Sequence, residues 1–322
     1  MILPILAGAA GCFLLALAIG GYVAYDIALR RPRKEPPQEE PPTEEHRDRL
    51  NIREAAKVRF HALRPEDVSI RGRDGLTLRG WFFPGPAESR RLAVLAHGYH
   101  CDGPGEFAVF LPFYRDLGFH VLIPDHRAHG RSEGKRITFG ARESQDFLDW
   151  TEAFVRRLGE DTQAVLHGVS MGAATVMLAN EKDPPPQVKC VVEDCGYTNA
   201  YEEIRHVAKH QLHFHFPPLE GALGLWNRLL AGCSLRKDAD CLGNMEKAAR
   251  PLLVIHGGAD DFVPTEMGRR LAAGCRLLHD YVEIPQAAHA MSYYIAAPAY
   301  EKALRGFFEA AGLLEAANAP SP

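Results

Sequence analysis

The chain opens on an apolar run, Ile2 to Tyr25, with no charged residue among its 24 positions. That length crosses a bilayer with some tilt. The run lacks the basic leading segment and the short apolar core of a cleaved signal peptide. A transmembrane anchor over residues 1–29 is therefore the favoured reading, against a signal peptide or a buried core helix. Tyr22 and Tyr25 are spaced to sit at a membrane interface. The basic cluster Arg30-Arg31-Pro32-Arg33-Lys34 follows, and the positive-inside tendency puts the chain beyond it on the cytoplasmic side. Residues 30–45 are rich in Pro and Glu. Such a stretch has little apolar surface to bury and predicts an extended spacer that holds the body away from the membrane.

Beyond residue 46 the pattern changes. His46 to His61 has partial helical periodicity. Glu66–Arg71 and Leu76–Phe83 alternate apolar and polar around Asp74-Gly75, which predicts a hairpin. Then come short, continuous apolar runs: 92–96, 119–123, 164–169, 188–193, 251–255 and 278–284. Runs of this kind are strands buried on both faces. Helical stretches separate them, at about 106–117, 141–158, 173–179, from Thr265 and at 298–311. Strands alternating with helices predict an α/β fold with a mostly parallel sheet and right-handed crossovers. The alternation is interrupted over 196–250, which is too long for a simple loop and predicts a helical lid across the sheet edge where ligands of open α/β sheets bind. The expected organisation is an anchor (1–29), a linker (30–45), a core in two parts (46–195 and 251–313) around the lid (196–250), and a tail (314–322).

Composition narrows the class. Of the 322 residues 46% are apolar and 24% charged, with a net charge of −4, which is ordinary for a globular protein and offers no basic face for nucleic acid. The seven cysteines are irregularly spaced without a C-x-x-C pair, which argues against a disulfide framework and fits a reducing compartment.

The chemistry centres on Ala164-Val165-Leu166-His167-Gly168-Val169-Ser170-Met171-Gly172. A buried strand runs into G-x-S-x-G and then into a helix, the context a nucleophile elbow needs. The glycines let strand and helix backbones approach without Cβ clashes, and the N–H of Met171 at the helix start is aimed at a developing oxyanion.

Four further motifs follow one another in the order of the α/β-hydrolase superfamily: H-G-x-x at His97, D-x-R-x-x-G-x-S-x-G at Asp125, H-G-x-x-D-x-x-V-P at His256, and Ala287-Ala288-His289-Ala290-Met291-Ser292-Tyr293. With the elbow, they make residues 66–312 resemble that superfamily, and within it membrane-anchored bacterial serine hydrolases related to esterases and serine aminopeptidases. The resemblance implies an eight-stranded, mostly parallel sheet and a Ser-Asp-His triad. Ser170 is then the nucleophile, His289 the base and later the acid, and Asp260 the carboxylate that orients the imidazole. Asp194 and Asp261 are rivals for the last role. Tyr99 N–H stands where the superfamily places its second oxyanion donor, beside Met171. Asp125, Arg127 and Ser132 are expected to be structural. The lid histidines His206, His210, His213 and His215 have no Cys or carboxylate partner at metal-site spacing, so no metal and no cofactor is expected.

The favoured activity is a serine hydrolase acting on a small acyl substrate, a carboxylic ester that includes lipid-derived esters and thioesters among its candidates. The acyl pocket would draw on Phe214, Phe216, Leu219, Leu223, Leu225, Trp226 and Leu229. An aminopeptidase-type amide hydrolase is the alternative, and would need Glu202, Glu203 or Glu220 to bind a substrate amine. A non-catalytic binding protein on the same fold is the third reading. Oligomeric state is not legible in the sequence.

Overall fold

The computed structural model describes residues 2–31 and 44–315. Helix α1 (Ile2–Leu29) and helix α2 (Glu44–Ala62) lead into the hairpin β1 (Glu66–Arg71) and β2 (Thr77–Phe83), paired antiparallel from Glu66↔Phe82 to Arg71↔Thr77. The chain continues through β3 (Arg91–Ala96), α3 (Gly103–Phe107), α4 (Leu111–Asp116), β4 (His120–Pro124), α5 (Glu143–Leu158), β5 (Gln163–Val169), α6 (Met171–Asn180) and β6 (Val188–Asp194). Next are α7 (Ala200–His206) with a π-helical turn at Val207–Gln211, α8 (Pro217–Ala231) and α9 (Cys241–Asn244). The last elements are β7 (Leu252–Gly257), α10 (Thr265–Gly274), β8 (Leu278–Ile284) and α11 (Ser292–Ala310).

The eight strands form one sheet in the order β1-β2-β4-β3-β5-β6-β7-β8. Only β2 runs against the rest, because it is antiparallel to both neighbours and every later pair is parallel. The central strands β3, β4, β5 and β7 are buried throughout, apart from their first residues at Arg91 and Gln163, as their continuous apolar sequences require. Two cores lie on the two faces: one gathers α5, α6 and the inner residues of α8, the other α3, α4 and α11. This is the α/β-hydrolase fold.

Two predicted helices differ in detail. The helix expected over about 106–117 is two short ones, because Pro112 cannot donate the hydrogen bond that would continue α3 and instead occupies the first turn of α4. The last helix begins at Ser292 rather than near Pro298, and is kinked at Ala296 (φ −136°, ψ 44°), two residues before that proline.

The N-terminal region requires the larger correction. Ile5–Leu29 is long and apolar enough to cross a membrane, and is a candidate span. Its first half, through Ala16, is exposed, but its second half is docked on the body. Tyr25 and Leu29 are buried in the core, so Tyr25 is a packing residue and not a membrane-interface anchor. Gly21 lies so close to α8 that a Cβ there would overlap Ala222, and Gly20 faces Leu219; small residues are what let helices approach this closely. Trp226 Nε1 donates to Ala18 O at 2.8 Å and its ring meets Tyr22 edge-on at 5.3 Å. Ile137 N–H donates to Leu29 O (2.8 Å), Arg31 N–H to Lys135 O (3.0 Å) and Tyr99 Oη to Ala28 O (2.7 Å). The chain ahead of the expected spacer touches the body through these contacts. Linker residues 32–43 lie outside the described residues.

Candidate active site

Ser170 sits between β5 and α6 at φ 57° and ψ −118°, a region that costs a non-glycine residue about 1–3 kcal/mol and that only the surrounding structure can enforce. The two flanking glycines are the means. A Cβ on Gly168 would overlap the carbonyl of Gly172, and one on Gly172 would overlap that of Ala96. Ser170 N–H donates to Asp194 O (2.8 Å), which ties the turn to β6.

His289 lies in the loop between β8 and α11, and Asp260 in the loop after β7. His289 Nε2 is 2.9 Å from Ser170 Oγ, and His289 Nδ1 is 2.8 Å from Asp260 Oδ2. The Asp260 side chain is fully buried. Its other oxygen accepts the N–H groups of Phe262 (3.0 Å) and Val263 (2.9 Å), so the carboxylate is fixed and its charge is met by oriented dipoles. The sequence placed these three residues far apart, and the fold brings them into one hydrogen-bonded line.

The rival acids are elsewhere. Asp194 accepts from Tyr300 Oη at 2.9 Å, and burial pushes its carboxyl up to about 7. Asp261 is exposed, and its backbone carbonyl accepts from Gln211 (3.2 Å) and lies 2.9 Å from His206 Nε2.

Met171 is the first residue of α6, so its N–H has no intrahelical acceptor. Tyr99 follows β3. The N–H groups on either side of it are engaged, Gly98 with Glu106 Oε2 (3.3 Å) and His100 with His129 Nε2 (3.2 Å). His97, fully buried, accepts the N–H of His126 on Nε2 at 2.9 Å. Burial holds His126 well below the ordinary histidine range and brings His129 down to about 3. These rings pin the Tyr99 loop to the 125–134 loop. That loop is itself braced: Asp125 accepts from Gly103 and Arg131 N–H (both 3.0 Å), Ser132 Oγ donates to Asp125 O (2.6 Å), and Arg127 makes a two-pronged contact with Asp146 (2.6 Å each).

In front of Ser170 is an apolar cavity of about 300 Å³. Its floor includes Ser170, Met171, Tyr99 and Val263; its roof includes Ile204, Leu212, Phe214, Phe216, Leu219 and Leu223. The roof residues predicted from sequence divide into three groups. Phe214, Phe216, Leu219 and Leu223 line the cavity. Leu225 and Leu229 face outward, 58% and 65% exposed. Trp226 packs on α1. Sequence reasoning missed Phe139, Tyr197 and, above all, three residues of α1: Ala24, Ile27 and Ala28. For the last group the Gly20-Gly21 pair that meets α8 does not stand out in sequence, because the whole run is rich in Ala and Gly.

Polar groups in the cavity are few. Glu220 is held by Tyr201 Oη (3.1 Å) and lies 2.7 Å from His215 Nδ1. Glu203 is 3% exposed, and neither carboxyl oxygen has a partner. Burial, reinforced by the charges of Asp260 and Glu202, pushes it up to about 9, so it is a neutral acid at pH 7. Glu202 is turned away to Arg270 and Thr198 (2.6 Å each). Of the lid histidines, His206 and His210 stack on each other at 4.7 Å. Among the described residues, the group with metal-ligand spacing is Cys195, Asp260 and His289. Two of these already bond each other, and burial raises the Cys195 thiol well above its ordinary value, so no thiolate is offered.

A family model for the alpha/beta hydrolase family matches residues 93–301, and the chain belongs to that family. Among curated relatives, the uncharacterized protein YqkD of Bacillus subtilis is 25% identical over 235 residues, covering 73% of this chain and 76% of its own. The lysophosphatidylserine lipase ABHD12 of Macaca fascicularis is 26% identical over 213 residues, 62% of this chain and 50% of that protein. Among solved structures, the Pyrococcus furiosus esterase Pf2001 superposes with a TM-score of 0.62 at 20% identity, covering 78% of this chain and 93% of the esterase. At that identity the superposition speaks for the fold. Fold and relatives together support hydrolase activity.

Proposed function

We propose that this member of the alpha/beta hydrolase family is a serine hydrolase that cleaves a carboxylic ester through an acyl-enzyme on Ser170. The observation that carries the reading is the hydrogen-bonded line Ser170–His289–Asp260, which ends in an apolar cavity. His289 Nε2 takes the Ser170 proton as Oγ attacks the acyl carbon. Asp260 fixes the imidazole tautomer and stabilises the imidazolium. The N–H groups of Met171 and Tyr99 receive the developing oxyanion. His289 then protonates the leaving alkoxide, and in the second half activates the water that releases the acid.

The cavity favours an acyl chain over a peptide. Its lining is almost entirely apolar, so a hydrocarbon chain gains about 0.8 kcal/mol per buried methylene there, while a peptide backbone would leave its polar groups unmet. The amide-hydrolase alternative needs a resident anion for the substrate amine. Glu202 and Glu220 have other partners, and Glu203 is neutral at pH 7. The relative named lysophosphatidylserine lipase makes single-chain lipid esters the first substrates to try. The test is labelling of the full chain in detergent by a fluorophosphonate, beside Ser170→Ala. Labelling that is lost in the variant supports the reading. A folded wild type that neither labels nor hydrolyses p-nitrophenyl esters overturns it in favour of a binding protein.

A further inference from the structure

The same helix that is long enough to span a membrane also closes the cavity in front of Ser170. Ala24, Ile27 and Ala28 of α1 line it, opposite Leu219 and Leu223 of α8. The lining residues that reach the outside are all apolar: Ile27 is 72% exposed, Leu212 70%, Phe214 53%, Phe216 38% and Phe262 37%. These define an apolar mouth. On the outer side of α1 the exposed apolar surface runs without a charge from Ile5 through Leu6, Phe13, Leu14 and Ile19 to Val23, and is followed by Asp26, paired with Arg30 at 2.7 Å, and the exposed Ile27. Ile5 to Leu17, ahead of the contact with α8, gives about 18 Å of free helix at 1.5 Å per residue, so a hydrocarbon core of roughly 30 Å also takes in the outer face of the docked segment as far as Ile27. A helix that spans the core therefore brings Ile27, and with it the cavity mouth, to the membrane surface. Leu225 and Leu229 of α8, the helix on which α1 docks, are exposed as well.

We propose that α1 is a wall of the acyl-binding site as well as an anchor, so that a single-chain lipid ester passes from the bilayer past Ile27 and lies with its chain between α1 and α8. The inference rests on the ester-hydrolase reading above and adds where the substrate comes from and which residues select its length. The contact also reaches the chemistry. Tyr99 Oη donates to Ala28 O, so the end of α1 braces the loop whose N–H faces the oxyanion. A body cut free of α1 would lose one wall of its site.

The experiment measures hydrolysis of p-nitrophenyl decanoate and butyrate by the full chain in phosphatidylcholine nanodiscs, and reads the ratio of the two kcat/KM values. Ala24→Phe fills the cavity from the α1 side. Ile27→Trp obstructs the mouth at an exposed position where the fold tolerates bulk. Each is expected to lower the decanoate-to-butyrate ratio by about tenfold, whereas Leu15→Ala, on the exposed part of α1 away from the cavity, leaves the ratio unchanged. A ratio within twofold of wild type in both cavity variants, including equal loss on both esters, overturns the proposal. Wild type that hydrolyses neither ester and leaves Ser170 unlabelled by fluorophosphonate also overturns it, and identifies the hydrolase reading as the step that failed.

Discussion

The floor and the roof of the cavity are built on opposite principles. On the floor, positions are set by backbone geometry that few residues satisfy: Gly168 and Gly172 have no room for a Cβ, Ser170 is held at positive φ, and Asp260 is clamped by two N–H groups. On the roof, α1 and α7–α8 meet through apolar side chains, many of them partly exposed, that other apolar residues could replace. Chemistry needs placement within tenths of an ångström, whereas recognition of a hydrocarbon chain needs only shape and dryness. The floor should therefore fail abruptly when changed, and the roof by degrees.

The largest effect is expected at Ser170. Ser170→Ala removes the attacking oxygen, and kcat for ester hydrolysis should fall at least about 10⁴-fold with thermal stability nearly unchanged. A residual rate within tenfold of wild type would move the nucleophile elsewhere. The acids come next. Asp260→Asn should lower kcat roughly 10³- to 10⁴-fold by favouring the wrong imidazole tautomer. Asp194→Asn keeps an acceptor for Tyr300 Oη and should cost less than about tenfold. If the two variants exchange these values, the assignment of the acid is reversed.

On the roof the scale drops. Phe214 lines the cavity yet is 53% exposed. Phe214→Ala should raise KM for the decanoyl ester about fivefold, near 1 kcal/mol of lost apolar contact, and the butyryl ester should hardly register it. Steady-state kinetics on the two esters separates these outcomes. Equal changes on both would mean that Phe214 supports the floor instead.

This contrast also explains what could be read in advance. The strands and the elbow were legible because their sequences answer to local constraints, continuous apolar runs for strands buried on both faces and glycines where backbones touch, whereas the His289 and Asp260 loops were read through their resemblance to superfamily motifs. The roof was only partly legible. Leu219 and Leu223 enter the cavity while Leu225 and Leu229 of the same helix face outward. An apolar list does not separate these faces without knowing what packs where. The docking of α1 on α8 joins residues about 200 positions apart, and hydrophobicity suits a bilayer and a protein surface equally well.

The smallest expected effect falls on a titratable group buried in the apolar roof. Glu203 has no hydrogen-bond partner and is raised by burial to about 9. In the unfolded chain the carboxyl ionises near its ordinary value of about 4.3. Between these values the folded state holds a proton that the unfolded state has released, so stability falls as pH rises. The favourable contribution is complete below about pH 4 and is lost progressively up to about pH 9. Glu203→Gln keeps the size of the side chain and removes the titration. Its melting temperature should exceed that of wild type by at least a few degrees at pH 8, and the gap should close toward pH 5. Calorimetric melts of both proteins across that range decide the matter. A gap that stays constant with pH would mean that Glu203 has already found a charged partner, and the roof would then carry a site for a cation rather than a dry wall for an acyl chain.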